Sequence, residues 1–250
     1  MTTPLFEYAL RLADDALLLG HRLSEWCGRA PTLEEDMALA NIGLDLIGQA
    51  RSLYAYAGKV EGAGRDEDRL AYLREGREYR NLLLVELPNG DFAQTIVRQL
   101  LYAAVMVPFW ERLQGSKDQT LAAIAAKSVK EARYHLRHAA EWVIRLGDGT
   151  EESRDRTVAA LDELWPWTGE LFEQDAAEWA LVEAGVAVDR AALKPAWDAT
   201  VDRVLAEATL ARPQDGWMQT GGRRGVHTEH LGYILAELQH LQRSHPGAVW

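Results

Sequence analysis

Apolar residues recur every three or four positions along most of this chain, and no stretch shows the two-residue alternation of a half-buried strand. From Leu5 to Trp26 they fall at Leu5, Tyr8, Leu12, Leu19, Leu23 and Trp26, which lines one face of a helix over about residues 4–27. Gly28-Arg-Ala-Pro31 breaks the rhythm, and Thr32 followed by Glu35 is a capping-box pattern that starts a second helix. That helix is expected over 33–58, with Leu33, Met37, Ala40, Leu44, Ile47 and Tyr54 inside. Two long helices joined by about five residues lie antiparallel.

Residues 59–90 differ in texture: two glycines, a charged piece around Asp66 to Glu78, a short apolar piece Leu82 to Leu87, then Pro88-Asn-Gly90. This reads as a long crossover carrying short helices. Asp91 caps a third helix over 91–114, kinked at Pro108 where a backbone donor is lost, and Gly115-Ser116 leads into a fourth over 117–146. Two antiparallel pairs joined by one long connection is the topology of ferritin-like four-helix bundles. Flanking helices follow at about 151–165, 168–184, 194–211 and 228–243, with Trp165, Trp167, Trp179 and Trp197 as bulky anchors. No low-complexity linker or internal repeat interrupts the chain, so the expectation is one all-α domain over 1–250: a ferritin-like bundle with flanking helices.

Charge narrows the classes of partner. The 27 Lys and Arg against 38 Asp and Glu give a net charge of −11, which repels a phosphate backbone and argues against nucleic acid. The lone Cys27 makes no internal disulfide, and the opening residues lack the basic and apolar regions of a secretion signal, which points to the cytoplasm. Leu100 to Trp110 is the closest approach to a membrane span and is shorter than the required run of about 18 uncharged apolar residues, so no membrane is expected.

The candidate chemistry lies on the bundle helices. A di-iron carboxylate bundle takes one carboxylate from each of two helices and Glu-x-x-His from each of the other two, because a spacing of three sets both ligands on one face. Helix 2 offers Asp45, but Gly48 stands three residues on. Helix 4 offers Glu131, but Tyr134 stands three residues on and His135 comes one step late. Helix 1 offers Asp15 at about the level of Asp45, and helix 3 has no acidic residue between Asp91 and Glu111. Two readings stay open. Glu131 and His135, a turn apart, share one ion; or Asp15, Asp45, Glu131 and His135 form a buried polar network with neighbours such as Asn41 and Tyr102, with His138 at its edge. The loop Gly221-Gly-Arg-Arg-Gly225 before a helix is either an anion-binding loop or an ordinary one. The nine Trp fit a core, and also a large protein interface.

Four segments carry a resemblance: Gly20-His-Arg-Leu-Ser-Glu-Trp26, Pro31 to Arg51 with its Ala-Asn-Ile-Gly-Leu-Asp-Leu-Ile-Gly-Gln centre, Lys130-Glu-Ala-Arg-Tyr-His-Leu-Arg-His138, and His227-Thr-Glu-His-Leu-Gly-Tyr-Ile-Leu-Ala-Glu-Leu-Gln239. Together they resemble the structural (PaaC) subunits of bacterial phenylacetyl-CoA epoxidases, also called phenylacetate-CoA oxygenases, over essentially the whole chain. The resemblance implies a ferritin-like fold and a non-catalytic role beside a catalytic paralogue that holds the di-iron centre. It also implies a small accessory subunit and a reductase that brings electrons from NADPH. The reaction of such a complex is dioxygen-dependent epoxidation of the aromatic ring of phenylacetyl-CoA. On this reading Asp15, Asp45, Glu131 and His135 are degenerate metal positions, no cofactor sits in this chain, and Arg223 and Arg224 contact a coenzyme A tail or a partner subunit. The competing expectation is an autonomous di-iron oxidase or iron-handling protein.

Overall fold

The first helix is capped before it begins: the Thr3 side chain accepts the Phe6 amide at 3.2 Å, and Pro4 fills a first-turn position where its missing amide costs nothing. In the computed structural model, which describes residues 3–248, the helices are α1 (Pro4–Ser24), α2 (Leu33–Glu61), α3 (Glu67–Tyr72), α4 (Phe92–Leu113), α5 (Gln119–Gly147), α6 (Glu151–Leu164), α7 (Ala176–Glu183), α8 (Lys194–Glu207) and α9 (Glu229–Ser244). No strand occurs among the described residues, and the fold class is all-α and ferritin-like. The contacts gather into two units, one formed by the chain up to Pro88 together with the segment from Gly221 on, the other by Asn89–Thr220.

In the first unit α1 is buried on nearly every side from Phe6 to Leu23, as an apolar helix must be when it forms the centre of its packing. Its antiparallel pairing with α2 runs through a pair of glycines. A Cβ on Gly20 would lie 3.1 Å from the Gly43 carbonyl oxygen, and one on Gly43 would lie 3.3 Å from that of Gly20, so the backbones approach where side chains are absent. The buried face of α2 is Leu39, Ile42, Leu46, Ala50, Leu53, Tyr54 and Ala57. This corrects the inner face expected from the apolar rhythm. Leu33, Met37 and Leu44 are 72%, 58% and 66% exposed, Ala40 and Ile47 are half-buried, and of that set only Tyr54 is inside. The helix carries two apolar stripes, and the one containing Gly43 permits the closer approach to α1.

Gly62, at φ 69°, closes α2 three residues later than expected. The crossover then carries α3, capped by Asp66, and single 3-10 turns at Gly76–Glu78 and Leu83–Val85, before α9 packs beside α3 and the first of these turns.

In the second unit α4 and α5 run antiparallel, fixed at one end by the edge-to-face rings of Phe92 and Trp142, 5.1 Å apart, and toward the other by Arg133 on Glu111 at 2.7 Å. Asp91 caps α4, as expected, and the helix continues through Pro108 to Leu113. α4 is long and apolar enough by composition to cross a membrane, because its most apolar window tolerates isolated charges that an uncharged run does not; most of that window is buried in protein. α8 is joined to α4 by Trp197, whose Nε1–H donates to the Leu101 carbonyl at 2.9 Å. Trp165 and Trp197 stack in the core, while Trp167 is half-buried and Trp179 exposed, so two of the four expected tryptophan anchors do not act as such. The helix expected over 168–184 is a 3-10 turn at Gly169–Phe172 followed by α7, because Asp175 restarts it as a cap. The one expected over 194–211 stops at Glu207, where Thr209 turns to φ 58°.

Candidate functional site

The residues that a di-iron bundle would use are only partly equipped for it. Asp45 is half-buried on α2, and Gly48, one turn on, brings no side chain. On α5, Glu131 lies 3.4 Å from the exposed amine of Lys127, one turn back, while His135 is buried. Tyr134, where the pattern needs a histidine, is partly exposed with its ring against those of His135 and His138. Among the described residues no group of three or more His, Cys, Asp or Glu side chains is placed to hold a metal ion. The donor set does not fit a di-iron centre: one expected ligand position is a glycine, another a tyrosine, and α4 has no carboxylate between its Asp91 cap and Glu111.

The densest polar cluster is elsewhere, in the first unit, and the metal pattern pointed to only one of its acids. Asp14 and Asp15 stand side by side on α1, both fully buried. Asp14 accepts the Tyr54 hydroxyl at 2.5 Å, the Arg80 amide at 2.7 Å and both terminal nitrogens of Arg74. Arg74 also donates to the carbonyls of Leu70 and Glu78 and to the Tyr54 hydroxyl, and it lies over the Tyr79 ring, 4.1 Å from its centroid. Burial alone would weaken its charge, but the Asp14 carboxylate beside it holds its pKa well above the ordinary value. Burial, then the charge of Asp14, pushes the Tyr54 hydroxyl far above the usual phenol range; burial likewise raises Tyr79, whose hydroxyl donates to the Ala71 carbonyl and accepts from Gln239 on α9.

Asp15 accepts the Leu82 amide at 2.7 Å and pairs with Arg223, whose Nη2 lies 2.7 Å and Nη1 3.1 Å from its two oxygens. The third acid, Glu86, is equally buried. Its carboxylate accepts the Thr228 amide and hydroxyl and the Asn81 side chain, and it meets His227 Nδ1 at 2.8 Å. His227 donates from Nε2 to the Tyr79 carbonyl at 3.1 Å, and Arg22 donates twice to the Glu86 carbonyl. Three carboxylates thus tie α1, the crossover and the start of α9 together. Glu86 occupies the N-terminus of α9, the position where an anion is favoured.

This arrangement replaces the anion-loop reading of Gly221 to Gly225. Arg223 is turned inward onto Asp15 and the carbonyls of Arg11 and Arg80, so it is not available to a coenzyme A tail or a partner; Arg224 alone is exposed. The glycines serve close packing. A Cβ on Gly222 would lie 2.1 Å from the Asn81 carbonyl oxygen, and Gly225, at φ 73°, has the Arg77 carbonyl in the same relation at 2.4 Å. Asp15 therefore serves a structural ion pair. The signal in the sequence was the adjacent pair Asp14-Asp15 on an otherwise apolar helix, since two buried charges require two buried partners.

Chemically, the three carboxylates of the cluster are well supplied with donors. Each carboxylate meets several donors, none is poised beside a nucleophile, and the arginines are spent on carboxylates and carbonyls. Such a network fixes a frame.

A family model described as "Phenylacetic acid catabolic protein" matches residues 1–250. A protein of Escherichia coli (strain K12) named as one of the subunits of its 1,2-phenylacetyl-CoA epoxidase is 54% identical over 243 residues, which span 97% of this chain and 98% of that protein.

Proposed function

Because the chain belongs to the phenylacetic acid catabolic protein family over its whole length, we propose that it is a subunit of a phenylacetyl-CoA epoxidase in aerobic phenylacetate catabolism, and that its own part is structural. The observation that carries this reading is the 54% identity to the Escherichia coli epoxidase subunit over nearly the full length of both proteins. Gly48, Tyr134 and the acid-free middle of α4 support the non-catalytic part, because they remove ligands that the chemistry requires.

In this reading a catalytic paralogue of the same fold holds the di-iron centre and epoxidises the ring, and a small accessory subunit and a reductase using NADPH complete the complex. The contribution of this chain is mechanical. A bundle locked by buried ion pairs presents a fixed outer surface, and packing a second bundle against it restricts the helices on which that bundle carries its ligands.

The test is reconstitution. This chain, tagged and co-expressed with the catalytic oxygenase subunit, is expected to retain that subunit through purification, and epoxidation of phenylacetyl-CoA is expected to need both. Full turnover by the catalytic subunit and reductase without this chain would remove the proposed role.

A further inference from the structure

Arg77, on the crossover, and Arg224, just before α9, open onto one cleft of about 620 Å³ in the first unit. That volume lies within the range of about 300–1,000 Å³ that small-molecule sites occupy. Arg77 stands on the 3-10 turn Gly76–Glu78, and its carbonyl accepts Arg80 Nη1 at 2.6 Å. A Cβ on Gly225 would lie 2.4 Å from that same carbonyl oxygen, so the turn and the loop carrying Arg224 are pressed together backbone to backbone.

Three features of the cleft serve nothing within the chain. Both arginines are exposed, and among the described residues neither guanidinium has an ion-pair or hydrogen-bond partner. Glu75 and Glu78, on either side of Arg77, are engaged elsewhere: Glu75 with Arg243 at 2.9 Å, Glu78 with the Glu75 amide at 2.7 Å. In a chain of net charge −11, two unneutralised guanidiniums around one cleft attract an anion. The second feature is Gly232, which lies inside α9 and also lines the cleft. A glycine there costs helix stability, yet nothing stands within 4 Å of where its Cβ would be, so no contact of the chain itself requires it. The third is Val226, 62% exposed, which gives the same cleft an apolar wall.

We propose that this cleft binds an organic phosphate, with the phosphate oxygens held by the guanidiniums of Arg77 and Arg224 and the body of the ligand lying over Val226 and the open backbone of Gly232. Guanidinium meets phosphate through paired N–H donors, which gives direction as well as charge. The end of α9 adds nothing to it, because Glu86 already occupies that position. The proposal goes beyond the subunit reading and does not depend on it.

The test is calorimetry on the purified full-length chain at low salt, with ADP, pyrophosphate and adenosine as probes. ADP is expected to bind saturably at one site per chain, pyrophosphate at least about tenfold more weakly, and adenosine not measurably. Arg77→Ala and Arg224→Ala are each expected to weaken ADP about tenfold or more, while Arg29→Ala, at another exposed arginine, leaves it within about twofold. Gly232→Leu is expected to weaken ADP by more than it weakens pyrophosphate; should that variant unfold, Gly232→Ala is read in its place. Absence of saturable ADP binding, or binding that survives both arginine substitutions, would overturn the site. Pyrophosphate bound as tightly as ADP, with Gly232→Leu harmless, would overturn the organic ligand in favour of a bare phosphate. Co-purification with the catalytic subunit reads the subunit proposal separately, so either can fail alone.

Discussion

Asp15 and Arg223, 208 positions apart, meet in a two-pronged ion pair inside the first unit, with both side chains largely removed from water. Removing one partner leaves a buried charge without its counterpart. Arg223→Ala is therefore expected to destabilise the protein by about 3–5 kcal/mol. Its exposed neighbour gives the contrast: Arg224→Ala is expected to stay within about 0.5 kcal/mol of the unaltered chain. Urea unfolding of the two variants side by side checks this, and equal losses would contradict the inward placement of Arg223.

The tyrosines of the same cluster set the alkaline limit of stability. Burial foremost raises the hydroxyls of Tyr54 and Tyr79 above the ordinary phenol value of about 10. Above that value the unfolded chain has released protons that the folded chain still holds, so fewer protons are bound in the unfolded state and stability falls as pH rises. The loss begins near the unfolded pKa of about 10 and continues upward. Ultraviolet titration is expected to show two phenols that ionise only together with unfolding; the two variants Tyr54→Phe and Tyr79→Phe should each remove one from that class. Free titration of all tyrosines in the folded protein would refute it.

Glycines separate by what stands beside them. Gly222→Ala places a Cβ 2.1 Å from the Asn81 carbonyl oxygen, a backbone atom rather than the end of a flexible side chain, and is expected to lower the melting temperature by several degrees. Gly232 lies inside α9 with nothing within 4 Å of a Cβ. Gly232→Ala is expected to stabilise by about 0.5–1 kcal/mol through helix propensity and the lower entropy of the unfolded chain. Thermal unfolding of both variants reads the two signs, and a shift in the same direction for both would be contrary to the packing described.

The helices were legible because their caps and periods are local: Thr32, Asp91 and the rhythm of α1 all act within a few residues. The inner face of α2 was not, because two apolar stripes share that helix and the choice between them is made by Gly20 and Gly43, residues without a hydropathy signal. Gly48 and Tyr134, which stand where a di-iron pattern has ligands, are plain in the sequence. The Asp14–Arg74 and Glu86–His227 pairs were hidden by distance along the chain, 60 and 141 positions. Arg223 and Arg224 look alike in sequence and differ in role only because the loop's glycines press its backbone onto the crossover.

The central claim is that this chain holds the frame and a partner holds the metal, and iron analysis of separated subunits tests it most directly. With the catalytic subunit and this chain co-purified, then resolved and measured by elemental analysis, iron is expected at about two per catalytic subunit and far below one per copy of this chain. Stoichiometric iron bound to this chain, lost when Glu131 or His135 is replaced by Ala, would contradict the account and favour an autonomous di-iron protein.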